Sequence, residues 1–156
     1  MKVFSLILLL CCAVVLPALG DPALNNLRSE LKSLPSIEGA AVGYGGVPGR
    51  FYLLYSYCVI YGDEKIFSAF LSDDSPIVAA MGGICMLDKY PTRKEEVMMR
   101  MKSDQREVLV FPFGCLGTKM TLAALFDKAQ ADPNFIVAMK FRKKDERGTR
   151  ANADDR

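Results

Sequence analysis

Two stretches of this chain repeat one another at an offset of about 31 residues, and a repeat of that length constrains the fold more than any average does. Glu64-Lys65-Ile66-Phe67 lines up with Glu95-Glu96-Val97-Met98, Ser72-Asp73 with Ser103-Asp104, Ile77-Val78 with Val108-Leu109, and Gly83 with Gly114. A third copy begins at Thr118. There Leu122, Ala123, Leu125 and Phe126 share a helical face, Asp132-Pro133 makes a turn, and Ile136-Val137-Ala138-Met139 echoes Ile77-Val78-Ala79-Ala80-Met81. Each unit reads as an amphipathic helix, a tight Asp-bearing turn and a more apolar helix. One such pair cannot bury both of its faces, whereas stacked neighbours bury the apolar helix between them.

The stretch Leu71-Ser72-Asp73-Asp74-Ser75-Pro76-Ile77-Val78-Ala79-Ala80 resembles HEAT-like repeats, in which an Asp-Pro-type turn leads into a helix beginning with Val. Ala131-Asp132-Pro133 onward is the second such match, and the resemblance spans residues 48–142. It implies an all-α fold, a short α-solenoid of stacked helical hairpins over residues 50–144. The same helices without a true repeat would form an irregular helical bundle. This chain departs from the family pattern at Ala79, where HEAT-like units usually carry Arg after the Val, and its units are shorter.

Turn signals divide the rest. Asp21-Pro22 opens an N-terminal helix over 21–35, with Asp in the cap place and Pro at the first helical position. Leu24, Leu27, Leu31 and Leu34 form its apolar stripe, and Pro35 stops it. Residues 36–49 carry Gly39, Gly43, Gly45, Gly46 and Gly49 and read as a glycine-rich loop. Phe51 to Tyr61 is apolar almost all round, which predicts a helix buried on most sides; a buried strand is the competing reading. Glu64 to Leu71 and Ile77 to Leu87 come next as helices, and Thr92 with Glu95 has capping-box spacing. Val108 to Cys115 holds strand-forming residues and Pro112, yet its alignment with Ile77 to Met86 predicts a helix, kinked at Pro112. Arg142-Lys143-Lys144 is followed at once by Asp145-Glu146, so it reads as a solvated helix end, and residues 145–156 as a disordered tail.

The first 20 residues are of another kind. Met1-Lys2 is a basic start, Val3 to Leu16 is apolar apart from Ser5, and Ala18-Leu19-Gly20 puts small residues before Asp21. Together these read as a secretory signal peptide. The apolar run of about 14 residues is short of the ~20 that cross a bilayer. The chain is therefore expected to be exported, either secreted or periplasmic, and to keep no transmembrane segment after cleavage. Export leaves Cys58, Cys85 and Cys115, an odd set that allows at most one internal bridge. All three lie inside apolar runs, which predicts buried unpaired thiols with a structural role, one bridge being the alternative.

Chemistry has few footholds. The chain has no His, so imidazole enters neither a catalytic nor a metal scheme. A net charge of +2 fits no polybasic nucleic-acid binder. Gly43-Tyr44-Gly45-Gly46-Val47-Pro48-Gly49 has the glycine content of a phosphate loop but no Gly-Lys-Ser/Thr. Asp73 and Asp132 read as helix caps at turns rather than as acid–base groups. Tyr52, Tyr55, Met98 and Met101 stand in dense aromatic and methionine clusters and are the candidate binding residues. No metal or cofactor is called for. These readings predict a non-enzymatic interaction module or adaptor whose partner is another protein. The alternatives are a small-ligand binder or enzyme using the loop 39–49, and a structural envelope protein.

Overall fold

In a computed structural model, which describes residues 22–112 and 114–131, helices pack against a short mixed sheet. Helix α1 (Pro22–Lys32) leads through β1 (Ile37–Glu38) and the glycine loop into α2 (Arg50–Tyr61), α3 (Glu64–Leu71) and α4 (Pro76–Lys89). A 3-10 turn (Pro91–Arg93) opens α5 (Lys94–Met101), followed by β2 (Glu107–Phe111), β3 (Thr118–Thr121) and α6 (Leu122–Ala131). The signal segment 1–20, the Asp132-Pro133 turn with the helix expected beyond it, and the tail 145–156 lie outside the described residues.

Every residue from Ile77 to Met86 of α4 is buried. A helix with no polar side must be covered all round, and α1, α2, α3, α5 and β2 all contact it. Two consecutive glycines let its neighbours approach. A Cβ on Gly82 would stand 2.3 Å from the Leu71 backbone nitrogen, so α3 and α4 meet backbone to backbone. Gly83 faces the Phe126 ring of α6, which would lie 2.4 Å from an added Cβ. The helix starts cleanly because Ser75 is extended at its N-cap and Pro76 occupies the first turn.

The sheet overturns the all-α solenoid, and the irregular helical bundle with it. β2 runs parallel to β1, with Ile37 opposite Val110, and antiparallel to β3, with Val108 opposite Met120. The repeat survives through a helix and a turn and then diverges. After α3, the Asp73 carboxylate accepts from the Ser75 backbone N–H at 2.8 Å; after α5, Asp104 accepts from the Arg106 N–H at 3.0 Å. These are the same local turn, in which a carboxylate substitutes for a backbone acceptor. The first leads into α4 and the second into β2. Only Glu107–Phe111 separate Arg106 from Pro112, too few for a stable helix before a residue that cannot donate. Val108 and Val110 are buried while Leu109 is exposed, the alternation of a strand. The third copy likewise begins with a strand, β3, and α6 starts where Thr121 Oγ1 accepts from the Ala124 N–H at 3.2 Å.

Asp73 ties these parts together. Its side chain is 0% exposed and pairs with Arg28 and Lys32 of α1, the latter at 3.4 Å. Arg106 Nη1 donates to the carbonyls of Asp73 and Asp74, each at 2.7 Å, while its guanidinium grips Asp104. One arginine thus joins the two repeat-related turns. Burial alone would raise the Asp73 pKa, but the Ser75 N–H and Arg28 outweigh it and hold the carboxyl below its ordinary value. The Arg106 hydrogen bond lowers Asp104 in the same direction, against partial burial.

A depressed native pKa gives stability that is fully present above the unfolded value near 4 and lost as pH falls through the native one. Thermal unfolding midpoints are therefore expected to hold steady from pH 7 to about 5 and to fall below about pH 4. Asp73→Asn should flatten that acid loss and cost about 2–3 kcal/mol at pH 7 in denaturant titration. Gly82→Ala should cost about 2–3 kcal/mol because its Cβ meets backbone, and Gly83→Ala less because side chains alone face it.

Candidate functional site

Several backbone N–H groups in the glycine loop are committed within the protein. Gly39 donates to the Phe111 carbonyl at 2.9 Å, Gly43 to Gly114 at 3.0 Å and Gly49 to Gly39 at 3.0 Å. Gly43 and Gly46, at φ 70° and 57°, turn the chain so that Val42 bridges Val47. The loop so extends β1 alongside the residues that come after β2. At the start of α2, the position where a phosphate would bind a helix terminus, the Arg50 N–H already donates to Glu38 Oε2 at 3.0 Å. An anion arriving there would meet a carboxylate.

Helix α2 presents the more informative surface. Its single charge, Arg50, is engaged by Glu30, with Nη2 2.7 Å from Oε1. Phe51, Tyr52, Tyr55 and Cys58 turn inward and are buried. Leu53, Tyr57, Ile60 and Tyr61 turn outward and are 56%, 45%, 68% and 68% exposed. Their spacing sets them on one side of the helix, where the Tyr57 and Tyr61 rings pack with centroids 4.6 Å apart. The helix is therefore apolar on both sides, and the outer one is open to solvent.

The inner side fixes that surface in place. Tyr55 Oη donates to Asp88 Oδ2 of α4 at 2.7 Å. Burial first, and then this bond to a carboxylate, push the phenol pKa far above its ordinary value, so Tyr55 stays a neutral donor. Lys89 Nζ donates to the Gly62 carbonyl just past the end of α2 at 2.8 Å. Between these ties, Cys58 and Cys85 are buried.

Sequence reasoning found the right clusters and missed their outward members. Tyr52, Tyr55, Met98 and Met101 are buried, so their rings and thioethers belong to the core. Tyr57, Tyr61 and Met99 (74% exposed) are the members that face outward. The phase of α2 was hidden because its residues are apolar in every direction. What the sequence did offer was a helix nearly free of charge. Cys58 and Cys85 are buried, but Cys115 is exposed in the loop after β2, beside Leu116 at 85%. Gly114 pairs with the glycine loop, and residues 115–117 are exposed instead of entering the core. Asp73 anchors the turn between α3 and α4, and Asp132 lies outside the described residues. Among the described residues no group of three or more His, Cys, Asp or Glu could hold a metal, and no helix is long and apolar enough to cross a membrane.

The two sides of α2 should separate in denaturant unfolding. Tyr57→Ser and Ile60→Ser are expected to shift stability by less than about 0.5 kcal/mol. Tyr55→Phe should cost about 1–2 kcal/mol, because the Asp88 carboxylate loses that hydrogen bond. Compared with known proteins, the chain matches no protein-family model and no curated protein.

Proposed function

We propose that the chain is an exported, non-enzymatic protein-interaction module that docks a partner protein on the outer side of α2. The observation that carries this reading is the stripe Leu53, Tyr57, Ile60 and Tyr61, four large apolar side chains open to solvent on a helix whose only charge is already paired. A contiguous exposed apolar surface of this kind is often functional on soluble proteins. It can form the apolar centre of an interface, with polar neighbours as the rim.

The chemistry of the stripe selects its occupant. It offers no charge to a nucleic acid, an acidic peptide or an anionic lipid surface. A partner that fits presents an apolar, uncharged patch with hydrogen-bonding groups at its edge for the two tyrosine hydroxyls. The ties from Tyr55 to Asp88 and from Lys89 to Gly62 hold the helix before binding, which lowers the entropic cost of association. The leader Met1 to Gly20 supports a site of action outside the cytoplasm. The glycine loop supports a small-ligand reading less, since the N–H groups of Gly39, Val42, Gly43 and Gly49, and that of Arg50 at the α2 start, bond to protein groups.

The test begins with the full chain expressed in its native host and recovered from the exported fraction, where intact mass should show a start at Asp21. Crosslinking there identifies the bound protein, and affinity is then measured with both components purified. Ile60→Asp is expected to weaken binding by about tenfold or more without lowering the melting temperature. Unchanged affinity for Ile60→Asp, self-association as the only interaction, or recovery solely as a cytoplasmic chain starting at Met1 would overturn the proposal.

A further inference from the structure

Under the outer stripe of α2, three sulfur atoms meet where that helix crosses α4. Cys58 is 1% exposed and Cys85 0%. Cys85 Sγ lies 3.7 Å from Met81 Sδ, and the Cys58 thiol of α2 adjoins it. All three described thiols are free in this structure. Two bonds between the same regions lie on either side of Cys58 along α2. Tyr55, one turn before Cys58, reaches Asp88, and Gly62, one turn after Cys58, accepts from Lys89. Asp88 and Lys89 are in turn one helical turn beyond Cys85. The two cysteines are thus brought together by contacts that do not involve sulfur.

We propose that Cys58 and Cys85 are a disulfide-forming pair that cross-links α2 to α4 when the chain folds in the presence of a disulfide oxidant. A thiolate of one cysteine attacks a low-molecular-weight disulfide such as oxidised glutathione, forming a mixed disulfide and releasing one small thiol. The second cysteine then attacks the protein sulfur of that mixed disulfide and releases the other small thiol. One S–S bond forms in the protein and the oxidant's S–S bond breaks. The two protein protons end on the two released thiols, so two cysteine thiols are oxidised and one small disulfide is reduced.

Burial also sets when this happens. Together with the Cys58 thiol beside it, burial pushes the Cys85 thiol pKa well up, and only a thiolate attacks. In the finished fold neither sulfur meets a solvent-borne oxidant. The bond therefore forms while α2 closes onto α4, and once formed it is out of reach of soluble reductants. Exposed Cys115 lies on the loop after β2, away from this crossing, and remains the odd thiol. The pairing does not depend on docking, because the sulfurs are on the inner side of α2 and pair whatever the outer side binds.

The test is oxidative refolding of the full chain. The reduced, denatured protein is refolded in mixed oxidised and reduced glutathione, quenched by alkylation in denaturant, and mapped by peptide mass. A Cys58–Cys85 cross-linked peptide with Cys115 alkylated is expected, and unchanged by Cys115→Ser. Reduction of the cross-linked protein under denaturing conditions, followed by refolding without oxidant, should lower the melting temperature by roughly 10 °C. Cys58 and Cys85 both alkylated after refolding to a cooperative thermal transition would overturn the pairing. So would a bond from either one to Cys115 or to Cys11 or Cys12.

Discussion

A helix with no polar side has to be surrounded, and α4 imposes that demand on the whole molecule. Ten successive residues, Ile77 to Met86, are removed from water, so the elements around α4 are arranged as its cover. Gly82 and Gly83 set how closely α3 and α6 can come. The polar groups gather at the two ends. At the N-terminus, Asp73 and Asp74 sit where the helix dipole favours negative charge; at the C-terminus, Lys89 sits where it favours positive charge. These residues, with Asp88, make the long-range ties to α1, to Arg106 just before β2 and to the α2 region. The middle of α4 supplies burial, and its ends supply direction.

This division explains how much could be read from the sequence. Periodicity and turn chemistry are local, so α3, the Asp73 turn, α4 and α5 are legible in Glu64 to Met101, and the repeat even locates two turns of the same hydrogen-bonded form at Asp73 and Asp104. The element after each turn is decided by distant residues. Val108 to Phe111 becomes a strand because Ile37 and Met120 lie on either side of it in space, and Pro112 denies it the length of a helix. Letting the alignment with Ile77 to Met86 outweigh Pro112 and the alternating valines produced the all-α expectation. The candidate site was legible only as composition. That α2 is unusually apolar is plain in its letters, but which of its four tyrosines face outward depends on where α4 and β1 touch it.

α2 stands in tension with the rest of the cover. α1 and α5 carry charges on their outer sides, as a solvated helix should. α2 instead serves as cover for α4 on one side and leaves large apolar groups in water on the other. A protein gains no stability from exposing Ile60 or Tyr61, and the docking proposed above is the use we assign to that surface. Its rigidity comes from the groups beneath it: a neutral tyrosine bonded to a carboxylate, a lysine at the helix end and a sulfur cluster between them.

The parallel pairing of Ile37 with Val110 carries a consequence for the order of events in folding. α3 and α4 are joined by a four-residue turn and can close on one another as soon as both exist. β1 and the glycine loop find their partners only near residues 110–114, so closing that part of the molecule means bringing together segments about 70 residues apart. The local hairpin is therefore the natural nucleus, and the joining of the two loops at Gly43 and Gly114 the natural last step. Until it is taken, the amino-terminal third has helices but no register.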